Sequence, residues 1–249
     1  MNISIITAVF NRSSTIVQAV KSVQQQTYPE VEHVVIDGAS TDGTLQLLHE
    51  CLHDDAILVS ELDCGMYDAI NKGIVRSSGE IIGLMHSDDV YANKHVLADV
   101  ADIFADAEID AVYGDVAFFR PSNSEKLVRR YRSDLFNPER LAWGWVPAHT
   151  ALFLRRRVFE QYGFYKINYK IASDYEFMAR IFRSKVIHSK YLPRVLVHMR
   201  IGGVSTGGWR NTVLLNQEVL RACRENGIKT NMLKILSKYP LKIMEFLRS

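Results

Sequence analysis

Ile81-Ile82-Gly83-Leu84-Met85-His86-Ser87-Asp88-Asp89 is an apolar run that ends in two adjacent carboxylates. The run from Ile81 to Met85 reads as a strand buried on both faces, the kind found inside parallel sheets. Open α/β sheets bind ligands in the crevice outside the carboxyl ends of such strands, so Asp88 and Asp89 belong to the rim of a ligand site. Adjacent carboxylates repel unless a cation or hydrogen-bond donors neutralise them. Hard oxygens suit Mg²⁺ or Mn²⁺ held together with substrate phosphates. The plainer reading of the pair is a solvated turn that caps a following helix.

Working outward, short β-rich runs alternate with helical ones, the pattern of βαβ units and a largely parallel sheet. Ile3–Val9 reads as the first strand. Ser13 or Ser14 can cap a helix whose Ile16, Ala19, Val20 and Val23 share one face. Val31–Ile36 is the second strand, and a polar turn from Asp37 to Thr44 precedes a helix bearing Leu45, Leu47 and Leu48. Ala56–Val59 is the third strand, and Met66, Ile70 and Ile74 recur at helical spacing. Beyond Asp89, strands are expected at Ala111–Phe119, Lys126–Tyr131, Ala151–Leu154 and Val195–Met199, with a helix at Ser173–Phe182. The fold class is therefore α/β. No repeat or low-complexity linker divides the chain.

With 249 residues, 47% hydrophobic and 23% charged, the chain can bury one sizeable core. A formal charge of +2 gives no electrostatic case for a nucleic-acid partner. Cys51, Cys64 and Cys223 are odd in number and widely spaced, which suggests neither a disulfide framework nor a zinc site and fits a reducing cytoplasm. The apolar run from Ile3 to Phe10 lacks the basic flank and cleavage site of a secretory signal, and no stretch approaches the ~20 apolar residues of a spanning helix.

Neither a P-loop nor a Gly-x-Gly-x-x-Gly follows the first strand, so a P-loop ATPase and an NAD-binding fold are disfavoured. Asp37 follows the second strand as Asp88 follows its own, and could accept from a base or ribose; a turn-forming Asx residue is the alternative. Ser40, Asp42 and Gly43 read as turn and cap residues. Asp174 begins a helix within Ser173-Asp174-Tyr175-Glu176, which matches a Ser-x-x-Glu capping box. A helix N-terminus also keeps a carboxylate ionised, as a general base must be. Asp68 and Lys72, four apart, could simply pair on a helix surface.

With these residues in hand, the chain over roughly residues 1–210 resembles the inverting GT-A glycosyltransferases of family 2. Ile5-Ile6-Thr7-Ala8-Val9-Phe10-Asn11-Arg12 resembles the family's first strand, which implies nucleotide-sugar contacts for Thr7, Ala8, Phe10 and Asn11. Val35-Ile36-Asp37-Gly38-Ala39-Ser40-Thr41-Asp42-Gly43-Thr44 resembles the second motif and implies that Asp37 holds base or ribose. Ser60-Glu61-Leu62-Asp63-Cys64-Gly65-Met66-Tyr67-Asp68-Ala69-Ile70-Asn71-Lys72-Gly73 is similar to a segment of bacterial polysaccharide-assembly members, and turns Asn71 and Lys72 towards the donor. His86-Ser87-Asp88-Asp89 stands where the family carries Asp-x-Asp; His86 departs from it. Asp89 would contact the metal, with Asp88 shared between ribose and metal. Ser173-Asp174 stands at the family's Glu-Asp pair and implies that Asp174 is the catalytic base. Pro147-Ala148-His149-Thr150 and Gly202-Gly203-Val204-Ser205 also resemble family segments; His149 would touch acceptor or diphosphate, and His198 would be a third metal ligand.

The resemblance implies a GT-A fold in residues 1–210 with a C-terminal helical extension over 211–249, a nucleotide-diphosphate sugar donor, Mn²⁺ or Mg²⁺, and inversion at the anomeric carbon. Between Lys229 and Arg248, basic residues are interspersed among Met232, Leu233, Ile235, Leu236, Leu241, Ile243, Met244, Phe246 and Leu247, with Pro240 breaking the run. That composition suits either an interfacial segment on an anionic leaflet or helices packed on the domain. On the first reading the enzyme lies on the inner face of the cytoplasmic membrane, and its acceptor is a polyprenyl-diphosphate-linked saccharide of surface polysaccharide synthesis. The rivals are a nucleotidyltransferase and a catalytically silent nucleotide-sugar or glycan-binding protein.

Overall fold

Strand β1 (Ile3–Val9) is buried along its whole length because it lies at the middle of a sheet covered on both faces. It pairs in parallel with β2 (Val31–Asp37) on one side and β4 (Ile81–Leu84) on the other; β3 (Ile57–Ser60) adds in parallel to β2. The computed structural model describes residues 1–120, 123–201 and 208–239, with side chains at 120 and 123–127 excepted. Gly202-Gly203-Val204-Ser205 and the tail from Pro240 onward lie outside the described residues.

Three helices make the crossovers of this parallel half: α1 (Ile16–Gln24), α2 (Thr44–Cys51) and α3 (Met66–Arg76). Helix α1 buries the expected face, Ile16, Ala19, Val20 and Val23. Helix α3 lies so close to β1 that a Cβ on Gly73 would come 2.3 Å from Ile6 Cγ2. That close approach is why glycine stands there, inside a helix that otherwise disfavours it.

Beyond β4 the sheet becomes mixed. The short β5 (Val90–Tyr91) and helix α4 (Val96–Phe104) lead to the long strands β6 (Ala111–Arg120) and β7 (Asn123–Tyr131). Strand β8 (Leu152–Arg155) runs antiparallel between β4 and β6, and β9 (Ser189–Arg200) runs parallel to β6 and antiparallel to β5. The path is β3-β2-β1-β4-β8-β6-β9-β5, with β7 on β6. Strand β9 begins six residues before the expected Val195, because the chain pairs from Ser189 and its register breaks around Pro193. Helices α5 (Arg156–Tyr162), α6 (Ser173–Phe182), α7 (Trp209–Glu225) and α8 (Met232–Leu236) complete the layer. Among the described residues no helix is long and apolar enough to cross a membrane.

The parallel order puts β1 between β2 and β4, so the carboxyl ends of β1, β2, β3 and β4 open on one rim. Asp37 ends β2, Ser60 ends β3, and His86-Ser87-Asp88-Asp89 follows β4.

Candidate active site

The turns after β1 and β2 are locked to each other at this rim. Asn11 N–H donates to Ser40 Oγ at 2.8 Å, and Asn11 Oδ1 accepts from Thr41 N–H at 2.9 Å. Asn11 (φ 50°) and Ala39 (φ 61°) both adopt the left-handed region, which the cross-bonds hold. For a non-glycine residue that conformation costs ~1–2 kcal/mol, and such residues cluster at ligand sites. Phe10 is 56% exposed, a ring in solvent where the chain turns. Thr7 and Ala8, by contrast, are buried in the strand, and Thr7 Oγ1 meets His33 Nε2 at 3.0 Å.

Asp37 is fully buried. Its Oδ2 accepts from Ser60 Oγ at 2.7 Å and from Ser40 N–H at 3.1 Å, while Oδ1 has no partner among the described residues. Above it stands Asp63, a residue to which the sequence reading assigned no role. A Cβ on Gly38 would lie 2.4 Å from Asp63 Oδ2 and 3.4 Å from the Phe10 ring. Gly38 is thus closed in by the Phe10 ring and the Asp63 carboxylate, beside Asp37.

Asn71 and Lys72 are occupied elsewhere. The Asn71 amide exchanges both of its hydrogen bonds with the Tyr165 backbone, at 2.8 and 3.0 Å. Lys72 Nζ donates to Leu62 O at 2.7 Å and pairs with Asp68 at 3.3 Å and Glu61 at 3.4 Å. The i,i+4 pair of Asp68 and Lys72 is therefore present, and the Lys72 contacts with Leu62 O and Glu61 join α3 to the preceding loop.

Asp89 is buried, with Oδ1 accepting from Arg200 N–H at 3.2 Å and Oδ2 without a partner among the described residues. Burial first, and the charge of Asp88 second, push its carboxyl up to about 8. The turn after Asp89 caps no helix; it enters β5. A buried carboxylate with an orphaned oxygen beside a second acid fits a hard divalent cation. Among the described residues no three His, Cys, Asp or Glu side chains gather. Asp89, with Asp88, is what would hold such an ion. His198, on β9, pairs in the ladder with Val90, and burial lowers its pKa.

The fourth group is the most developed. Asp174 lies in the first turn of α6, and its Oδ2 meets His149 Nδ1 at 3.1 Å, with the two side chains 20% and 21% exposed. Its Oδ1 accepts from Tyr175 N–H at 2.7 Å and from Tyr67 OH at 3.3 Å. Burial alone would raise the Asp174 carboxyl, but the His149 hydrogen bond and charge outweigh it and hold it below the ordinary carboxylate range. Burial would likewise lower His149, and Asp174 raises it instead. His149 Nε2 in turn meets His86 Nε2 at 2.5 Å, and burial pushes His86 down to about 3. The charge of Asp89 also reaches His149. A chain of side chains thus runs from Asp174 through His149 to His86, two residues before Asp88.

The Ser173-x-x-Glu176 capping box does not form. Ala172 is the N-cap, Ser173 Oγ donates to Lys166 O at 2.7 Å, and the buried Glu176 is drawn to Lys166 and Arg180 at 2.9 Å each. A buried carboxylate is better served by two cations than by one backbone amide. The contacts of Tyr67 and His86 with this centre had no sequence signal, since both partners lie more than 60 residues away.

The sequence model described as Glycosyl transferase family 2 matches residues 4–186. A PGL/p-HBAD biosynthesis glycosyltransferase of Mycobacterium bovis is 28% identical over 222 residues, 88% of this chain and 82% of that protein. An uncharacterized glycosyltransferase of Mycobacterium tuberculosis is 33% identical over 183 residues, 72% of this chain and 68% of the relative. Among solved structures, S. aureus TarS 1–349 in complex with UDP-GlcNAc superposes with a TM-score of 0.68 at 17% identity, over 89% of this chain and 66% of that one. A mannosyltransferase from Pyrobaculum calidifontis, in complex with GDP-Man and Mn²⁺, gives 0.65 at 20% identity, over 92% and 65%. These likenesses show the same α/β fold, the GT-A fold.

Proposed function

Because this chain belongs to glycosyltransferase family 2, we propose that it transfers a hexose from a nucleoside-diphosphate donor to an acceptor hydroxyl with inversion, and that Asp174 is its base. The observation that carries this reading is the Asp174 carboxylate, kept ionised by His149 and Tyr175 N–H yet still one-fifth exposed. A general base must be both charged and reachable at neutral pH.

Asp174 takes the proton of the acceptor hydroxyl as its oxygen attacks the anomeric carbon. His149 and Tyr67 hold the carboxylate from two sides, leaving its rotamer little freedom. A single carboxylate on the acceptor side, with no second one acting as nucleophile, leads to inversion; glycosidases divide the roles of their carboxylates by the same geometry. Phe10, Asp37 and Asp63 take the nucleoside. Asp89 with Asp88 would hold Mn²⁺ or Mg²⁺, which would neutralise charge on the departing diphosphate. UDP is the first donor to try, since the TarS fragment is described with UDP-GlcNAc, and GDP the second, on the mannosyltransferase with GDP-Man.

We assign the acceptor to the polyprenyl-diphosphate-linked saccharides of surface polysaccharide assembly, met at the inner face of the cytoplasmic membrane. In support, Leu233 is 80% exposed on α8, whose Lys234 lies 5.5 Å over the ring of the half-exposed Trp143. Apolar tips beside cations suit an anionic leaflet.

Calorimetric titration of UDP and GDP, with and without Mn²⁺, tests the reading together with Asp89→Ala. Metal-dependent binding of one nucleotide, abolished by Asp89→Ala, is the expected result. Binding indifferent to both metal and variant would remove the metal assignment. If neither nucleotide binds under any condition, the transferase reading itself falls.

A further inference from the structure

Helix α7 begins more than 20 residues after the last position that the family pattern matches. It nevertheless grips the segment that presents Asp174. Glu218, 7% exposed, accepts three consecutive backbone N–H groups: Lys170 at 2.8 Å on Oε1, then Ile171 and Ala172 at 2.9 Å each on Oε2. Ala172 is the N-cap of α6, and Ile171 O accepts from Tyr67 OH at 2.6 Å. Tyr67 is the same hydroxyl that reaches Asp174. One buried carboxylate therefore fixes the two residues before Ser173-Asp174 and, through Ile171 O, one of the groups that hold the base.

Further along α7, Cys223 Sγ meets Tyr175 OH at 3.1 Å, and Asn226 Nδ2 donates to Glu176 at 3.2 Å. Helices α6 and α7 are tied at three levels, all within the first turn of α6 or just before it. Hydrogen bonds to an ionised acceptor are about twice as strong as neutral ones, and a carboxylate that accepts from successive amides sets the chain path as well as stabilising it. On the same helix Val219 and Ala222 are buried in the main core.

We infer that Glu218 is a positioning residue for catalysis, setting the Asp174 carboxylate against His149 and the acceptor through the backbone of Lys170, Ile171 and Ala172. The inference rests on the reading of Asp174 as the base. Misplacement of a reacting group by about 1 Å can cost on the order of 10² in rate.

The test uses the full chain with three variants: Glu218→Gln, which keeps the volume but offers one acceptor oxygen in place of two; Glu218→Asp; and Val219→Ala, which loosens the same helix from its apolar side. Melting temperature, nucleotide affinity, donor KM and kcat are measured for each. The expected result is a fall in kcat on the order of 10² for Glu218→Gln with donor KM unchanged, partial recovery in Glu218→Asp, and unchanged kcat in Val219→Ala at a comparable loss of melting temperature. A kcat that simply follows melting temperature across the three, or an unaltered kcat in Glu218→Gln, overturns the inference. Should the wild-type protein bind nucleotide but transfer no sugar, the functional reading fails separately. The clamp is then read from the NMR titration of His149, whose titratable neighbours are Asp174, His86 and Asp89. Movement of that titration towards the ordinary histidine value in Glu218→Gln supports the clamp, and no movement refutes it.

Discussion

Asp174→Asn is the perturbation that bears most directly on the chemistry, because it removes one proton acceptor and little else. The amide has the volume of the carboxylate, and its oxygen still accepts from Tyr175 N–H, now 2.7 Å from Oδ1. The charge facing His149 is lost. With both side chains about one-fifth exposed, that pair contributes on the order of 1 kcal/mol after solvent screening, partly offset by relief of the burial that raises the carboxyl. For a chain of this size the melting temperature should move by no more than about 2–4 °C. Nucleotide affinity should not move, since Asp174 contacts none of Phe10, Asp37, Asp63 or Asp89. Loss of a general base typically costs ~10² to ~10⁴ in rate, or ~3 to ~5 kcal/mol of barrier. Nucleoside-diphosphate release is followed at saturating donor over a range of acceptor concentrations, with calorimetry of the nucleotide in parallel. A kcat within tenfold of wild type, or a nucleotide affinity that falls with kcat, would refute the assignment of Asp174 as base.

His149→Gln takes away the cation that lowers the Asp174 carboxyl, so the acid limb of kcat should move to higher pH. The sign for stability follows from both partners. Asp174, lowered from 3.8, stabilises above that value and loses this as pH falls; His149, raised from 6.5, stabilises below that value and loses this as pH rises. The stability difference between wild type and His149→Gln, read by denaturant titration, is therefore largest between about pH 4 and 6.5. Gly38→Ala places a methyl 2.4 Å from Asp63 Oδ2 and against Phe10, and should weaken nucleotide binding about tenfold in calorimetry while the melting temperature holds. Gly73→Ala meets Ile6 at 2.3 Å inside the core and should lower stability by ~1–3 kcal/mol in denaturant titration, with nucleotide affinity kept.

The parallel half of the sheet was legible because each element carries its own period. The face of α1, the apolar run of β1 and the strand before Asp88 are local patterns, and local patterns decide strands and helices when tertiary packing agrees with them. The mixed half was less so. Helix α4 starts after His95 without a side-chain cap, and Pro193 hides the first half of β9, whose pairing resumes after a register break. At the site, Asp37, Asp89 and Asp174 could be picked out as carboxylates at strand ends and a helix start. Asn71 and Lys72 could not be judged, since Tyr165 and Leu62, which hold them, are brought there by the fold.

The α/β order, the rim on which the carboxylates stand and the resemblance to the family are all carried by residues near one another in the chain. Packing sets the rest: Asp174 faces His149, His149 faces His86, Asp63 closes over Gly38, and Glu218 holds the backbone before α6. Each of those contacts joins segments distant in sequence. A hydrogen bond or ion pair depends on a few ångströms of separation, which strand register and helix packing set and no local pattern encodes.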